Sequence, residues 1–224
     1  MRKSRKQHKN ERRRIVPITA KTLNQKEYIR DIVENDVIFC TGPSGSGKSY
    51  IAAGIAANHI YRDEVDQIIV TRPLVCAGKD IGSLPGELDE KIKPYLLPME
   101  ENLKHFLGRD YYGKLFNDGR IRYEPLEIMR GATFHDAYMI LDEAQNCTLD
   151  QIKLFITRMG ENSKVLINGD IRQTDIRKFS GLLTCIDKLE GIEGIGISRL
   201  YYEDIQRNGI IGRVLEALEE DYYD

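Results

Sequence analysis

No C-x-x-C pair occurs in this sequence, and no cysteine stands at a metal-site spacing from a histidine. The four cysteines, Cys40, Cys76, Cys147 and Cys185, are far apart. Cysteine-based metal and redox modules are thereby excluded, and the thiols read as the reduced cysteines of a cytoplasmic protein. No apolar run approaches the length of a membrane span, so no membrane partner is expected. The basic N-terminus is not followed by an apolar h-region, which argues against a secretory signal, although basic residues alone leave a nuclear address open. Internal repeats are absent, as is low complexity beyond the first residues.

The 224 residues suit one α/β domain able to bury a full core. Hydrophobic content of 41% against 30% charged is ordinary for a soluble protein. The net charge of −2 hides a split. Residues 1–14 hold eight basic residues against Glu11 alone, a net +7, which leaves −9 on the remainder. Such an arm can contact nucleic acid or another acidic surface, or serve as a disordered solubilising tail. The expected organisation is a disordered basic arm over 1–14 and a single domain over 15–224, with a partly helical insertion near 74–120.

The most informative stretch is Val37-Ile38-Phe39-Cys40-Thr41 running into G-x-x-x-x-G-K-S and then into an alanine-rich helical pattern. Strand, glycine-rich loop and helix in that order define a phosphate-binding P-loop. Its cradle is Gly42, Pro43, Ser44, Gly45, Ser46, Gly47, Lys48, Ser49 and Tyr50. The glycines let successive N–H groups converge on one centre, and the helix N-terminus adds partial positive charge. Lys48 can reach the β- and γ-phosphates, and the Ser49 hydroxyl can ligate Mg²⁺.

Upstream, Thr22 or Asn24 caps a helix through Ile32. Gln25 stands at its start, where its amide can pair a donor and an acceptor on adenine or simply face solvent. Strands are expected at 67–71, 120–125, 137–141, 164–168 and 194–198, and helices at 148–159, 180–189 and 209–220. Within the insertion, helical pieces fall at 87–93 and 99–107. Strands alternating with helices imply a largely parallel sheet with helices on both faces.

The apolar strand 137–141 ends in Asp142-Glu143, at the strand end where open α/β sheets place their ligands. Asp142 fits the Mg²⁺-water ligand and Glu143 the base that polarises an attacking water. The next strand delivers Gln173, a candidate γ-phosphate sensor or else part of a hydrophilic loop. Arg72, Arg130, Arg172, Arg177, Arg199 and Arg207 could each cover a γ-phosphate, and spacing does not choose among them.

Together Asn24-Gln25-Lys26-x-Tyr28, the P-loop, Val70-Thr71-Arg72-Pro73, Gly82-x-Leu84-Pro85-Gly86, Met129-Arg130-Gly131-x-Thr133-Phe134, Ile140 to Asn146 and Gly169-Asp170-x-x-Gln173-Thr174-Asp175 resemble the PhoH-like ATPases, over roughly 19–219. That resemblance implies a RecA-like P-loop NTPase core, similar to the first such domain of superfamily 1 helicases, using ATP and Mg²⁺. It implies an adenine contact from Gln25, a metal ligand and base in Asp142 and Glu143, and a γ-phosphate sensor in Gln173. Asp204-Ile205-Gln206-Arg207-Asn208 occupies the place of the family's D-V-V-R-H, which singles out Arg207 as the catalytic arginine. Gln206, Asn208 and Ala132 depart from the family pattern.

A lone RecA-like domain leaves the γ-phosphate open on one side, so the resemblance implies a homo-oligomer, a hexameric ring in which a neighbour's arginine closes each site. RNA or single-stranded nucleic acid is the expected polymer partner. The rival expectation is a nucleotide-dependent assembly or switch module with slow hydrolysis and no nucleic-acid substrate. A kinase is disfavoured, because Glu143 directly after Asp142 suits water activation better than a phosphoacceptor.

Overall fold

The computed structural model describes residues 15–73, 88–176, 179–206, 210–211 and 213–214, with backbone alone for 88–95 and 127. The arm over 1–14, Arg177, Arg207 and most of the helix expected at 209–220 lie outside the described residues.

Six strands form one sheet: β1 (Val37–Thr41), β2 (Gln67–Thr71), β3 (Ile121–Tyr123), β4 (Ala137–Leu141), β5 (Lys164–Gly169) and β6 (Ile195–Arg199). Their order is β3-β2-β4-β5-β1-β6, and every pairing is parallel. Central strands of such a sheet are covered on both faces, which is why β1 and β4 are buried along their whole length and read as unbroken apolar runs. Because β5 lies between β1 and β4, the end of β5 falls between the P-loop and Asp142.

On one face pack α1 (Leu23–Glu34), α2 (Lys48–Tyr61), α3 (Leu88–Leu107) and α4 (Arg109–Asn117), around Tyr28, Ile32, Ile51, Ile55, Leu103 and Phe106. The other face is covered by α5 (Leu149–Ile156), α6 (Leu182–Leu189) and a 3₁₀ turn at Leu126–Met129, around Phe39, Met139, Phe155 and Leu182. Thr22 caps α1 by accepting from the Gln25 N–H at 3.2 Å. Thr148 and Gln151 form the capping box that starts α5.

The structure corrects several boundaries. The two helical pieces expected in the insertion are one helix, α3, twenty residues long. Pro98 interrupts the sequence pattern without breaking the helix, because it is exposed and its missing N–H costs a single bond on the solvent side. The helix expected over 148–159 ends at Ile156, since Met159 leaves it to bridge Phe134. No helix among the described residues is long and apolar enough to cross a membrane.

Candidate active site

Left-handed glycines shape the P-loop: Gly45 has φ 85° and Gly47, the residue capping α2, has φ 98°. The turn is held by the Ser46 N–H and hydroxyl, both donating to the Pro43 carbonyl, at 3.3 and 2.7 Å. Lys48 folds back on its own loop, its Nζ donating to the carbonyls of Gly42 at 2.5 Å and Pro43 at 3.0 Å. Ser49 Oγ donates to Asp142 Oδ1 at 2.7 Å, which joins the P-loop to the end of β4. The ring of Tyr50 turns away from the loop onto α3, 4.7 Å from Phe106 between centroids, and its hydroxyl lies 3.2 Å from His105 Nε2.

Asp142 is buried, and burial pushes its carboxyl pKa up, with the charge of Glu143 adding to the effect. The Ser49 hydrogen bond, Arg72 and Lys48 oppose it. Glu143 sits at φ 58°, in the left-handed region. One of its carboxylate oxygens accepts from Gln145 Nε2 at 2.6 Å, and the other lies 3.5 Å from Arg72 at the end of β2. Buried polar atoms flank Asp142 on both neighbouring strands. Thr71 Oγ1 on β2 and Asn168 Nδ2 on β5 have no partner among the described residues, while Asn168 Oδ1 accepts from the Tyr28 hydroxyl at 2.7 Å.

Gln25 is buried, so the solvent-facing alternative does not hold. Its Nε2 donates to the Ser46 carbonyl at 2.9 Å, and its Oε1 accepts from the Lys21 N–H at 2.8 Å. Beside it runs a strap over 200–206. Asp204, fully buried, accepts from the Thr22 hydroxyl, from Asn24 Nδ2 at 3.0 Å and from the Tyr201 N–H at 2.6 Å. The Gln206 N–H then donates to the Gly45 carbonyl at 3.1 Å. Gly42 leaves room for this strap, because a Cβ there would fall 2.6 Å from the Leu200 carbonyl oxygen. Gln173 is exposed on the loop after β5, its N–H donating to the Asp170 carbonyl. Of the candidate arginines, Arg72 meets Glu143, Arg172 donates to the Tyr202 hydroxyl at 2.7 Å, and Arg199 pairs with Glu190. Arg130 is exposed over α5.

Sequence reasoning missed Asp204, Tyr28, Asn168 and Gln145. Each works through a partner remote in the chain, and the quoted motifs that contain Tyr28, Gln145 and Asp204 mark their positions without disclosing those contacts.

The PhoH-like protein family model matches residues 17–219. This chain belongs to the PhoH-like family. A PhoH-like protein of Bacillus subtilis is 42% identical over 205 residues, spanning 91% of this chain and 64% of the relative. Protein PhoH of Escherichia coli is 41% identical over 205 residues, spanning 90% of this chain and 58% of that protein. The chain thus spans less than two thirds of the curated relatives it matches. Among solved structures, a large terminase from a thermophilic bacteriophage, in complex with ADP, superposes with a TM-score of 0.51 at 12% identity, over 91% of this chain and 50% of the terminase. At that identity the likeness concerns the fold, which is that of a RecA-like P-loop NTPase domain.

Proposed function

We propose that this PhoH-like chain is a Mg²⁺-dependent ATPase that works as a ring of copies and is coupled to RNA or single-stranded nucleic acid. The observation that carries the reading is the Ser49–Asp142 contact of 2.7 Å beneath the P-loop, with Glu143 next in sequence at the rim of the sheet.

The residues present fit a magnesium-bound triphosphate. Mg²⁺ takes one or two protein oxygens and completes its octahedron with phosphate oxygens and water. A hydroxyl and a buried carboxylate already in contact supply that pair, and a nearby cation favours the charged form that burial of Asp142 disfavours. Among the described residues no group of three or more His, Cys, Asp or Glu forms a protein-only cage, in keeping with a metal held largely by its nucleotide. Bound Mg²⁺ and the triphosphate supply the electrophilic phosphorus and neutralise charge on the leaving group. The chain's own residues do the rest. Lys48 exchanges the Gly42 and Pro43 carbonyls for phosphate oxygens, the loop N–H groups cradle those oxygens, and Glu143 accepts a proton from the attacking water. Gln25 supports adenine as the base, since its Oε1 keeps a second lone pair and its second Nε2 proton has only a 3.5 Å contact to the Asp204 carbonyl.

The Glu143 side chain is 39% exposed at the rim, where Arg72 pairs with it at 3.5 Å. In the proposed ring a neighbouring copy closes that side and Arg207 is the residue it contributes. Sedimentation of the full-length protein with and without Mg·ATP, alongside turnover of the wild type and Lys48→Ala, tests the reading. We expect a ring with ATP, RNA-stimulated turnover that drops when residues 1–14 are removed, and loss of at least a hundredfold of activity in Lys48→Ala. A monomer at every concentration would remove the ring, and turnover indifferent to any polymer would favour the switch module.

A further inference from the structure

Gln145 is buried between the end of β4 and the end of β5, and its amide bonds to both. Its Nε2 donates to Glu143 Oε2 at 2.6 Å, and its Oε1 accepts from the Asp170 N–H at 2.9 Å. The contact is one tooth of a longer zipper. The Thr174 hydroxyl donates to the Gln145 carbonyl at 3.0 Å, the Asp175 N–H donates to Asn146 Oδ1 at 2.8 Å, and Asn146 Nδ2 donates back to Asp175 Oδ2 at 3.1 Å. Farther on, the Gly181 N–H donates to the Cys147 carbonyl at 2.8 Å. The D-E-A-Q-N segment and the G-D-I-R-Q-T-D loop are therefore joined through Gln145 and Asn146 on one side and Asp170, Thr174 and Asp175 on the other. Gly169 makes the approach possible: a Cβ there would fall 3.0 Å from both the backbone nitrogen and Oε1 of Gln145, and 2.5 Å from Leu182 Cδ2.

We propose that Gln145 is a positioning residue for hydrolysis, holding the Glu143 carboxylate in register with the Gln173 loop so that the two strand ends move as one body. A half-buried glutamate on a left-handed backbone has several rotamers open to it, and the contacts from Gln145, in the turn after β4, and from Arg72, just beyond β2, select one. A short bond to a side chain that is itself locked by packing and a second hydrogen bond is how a reacting group is held to within a fraction of an ångström. Because the same amide grips the Asp170 N–H, displacement of the 170–175 loop by an arriving γ-phosphate is transmitted to the base without passing through solvent. Sequence position alone gave Gln145 no role.

The proposal rests on Glu143 being the base, and the test separates the two ideas. Steady-state turnover and affinity for a non-hydrolysable ATP analogue are measured on the full-length wild type, Gln145→Glu, Gln145→Met and Glu143→Gln. Gln145→Met keeps the length of the buried side chain while losing both the donor to Glu143 and the acceptor for Asp170. Its kcat should fall about tenfold to a hundredfold, with KM and analogue affinity close to wild type. Gln145→Glu restores the acceptor but sets a second buried carboxyl against Glu143, and its kcat should fall at least as far. A kcat for Gln145→Met within twofold of wild type, or an equal loss of analogue affinity, would overturn the positioning role. Wild-type turnover in Glu143→Gln would instead sink the base assignment on which it stands.

Discussion

Tyr28 and Asn168 show how much a single side-chain pair can matter beneath the nucleotide site. Both are fully buried, and the 2.7 Å bond from the Tyr28 hydroxyl is the partner that Asn168 Oδ1 has, while Asn168 Nδ2 has none among the described residues. Tyr28→Phe would leave the whole carboxamide unsatisfied in a low-dielectric interior, at a cost of about 1–3 kcal/mol. A urea titration should show the midpoint falling with an unchanged slope, and an unshifted midpoint would mean the hydroxyl contributes nothing. Burial also explains why Cys40 is an unreactive thiol in spite of its place next to the P-loop, since it pushes the pKa far up against the Lys48 charge and the Tyr28 hydrogen bond, which both act to lower it. At this scale the sequence was legible where chemistry is local. Lys48, Ser49, Asp142 and Glu143 stand in motifs whose spacing dictates their meeting. Tyr28 and Asn168 are 140 positions apart, and no periodicity could pair them.

Among elements, α2 is unusual in being buried nearly all round, with Ile51 to Ala57 and Ile60 enclosed. Gly54 lets α3 approach, since a Cβ there would lie 2.7 Å from Phe106 Cζ and 2.8 Å from Ile18 Cδ1. Gly54→Ala brings up to about 1 kcal/mol of helix propensity, against about 1–3 kcal/mol for overpacking. Because both obstructing atoms are side-chain tips, the net should be modest, a destabilisation of about 1 kcal/mol. Thermal melting would record it, and a raised melting temperature would show that α3 yields freely. The strands were readable because a buried parallel sheet writes itself as apolar runs closed by polar residues. The insertion was not, since the prolines of α3 masked one continuous helix and α4 carries no contrast with its neighbours. The zipper between 143–147 and 170–175 was equally hidden, because loop-to-loop hydrogen bonding leaves no period in either segment.

Over the whole molecule, the sheet order decides what the site can be. With β5 between β1 and β4, three consecutive strand ends present the P-loop, Asn168 to Asp170, and Asp142-Glu143 along one rim. The fold class, the parallel sheet and the family were all visible in the sequence. The strap over 200–206, bolted to α1 and the P-loop by Asp204 and Gln206, was not, because its contacts join the two ends of the domain. The central claim is that this rim is one hydrolytic site with separable binding and chemical parts. Glu143→Gln tests it most directly, in a binding titration with Mg·ATP and a single-turnover assay on the same preparation. The account predicts wild-type affinity, to within a few-fold, with hydrolysis slowed by at least a hundredfold. Hydrolysis at the wild-type rate, or affinity lost along with it, would contradict that account.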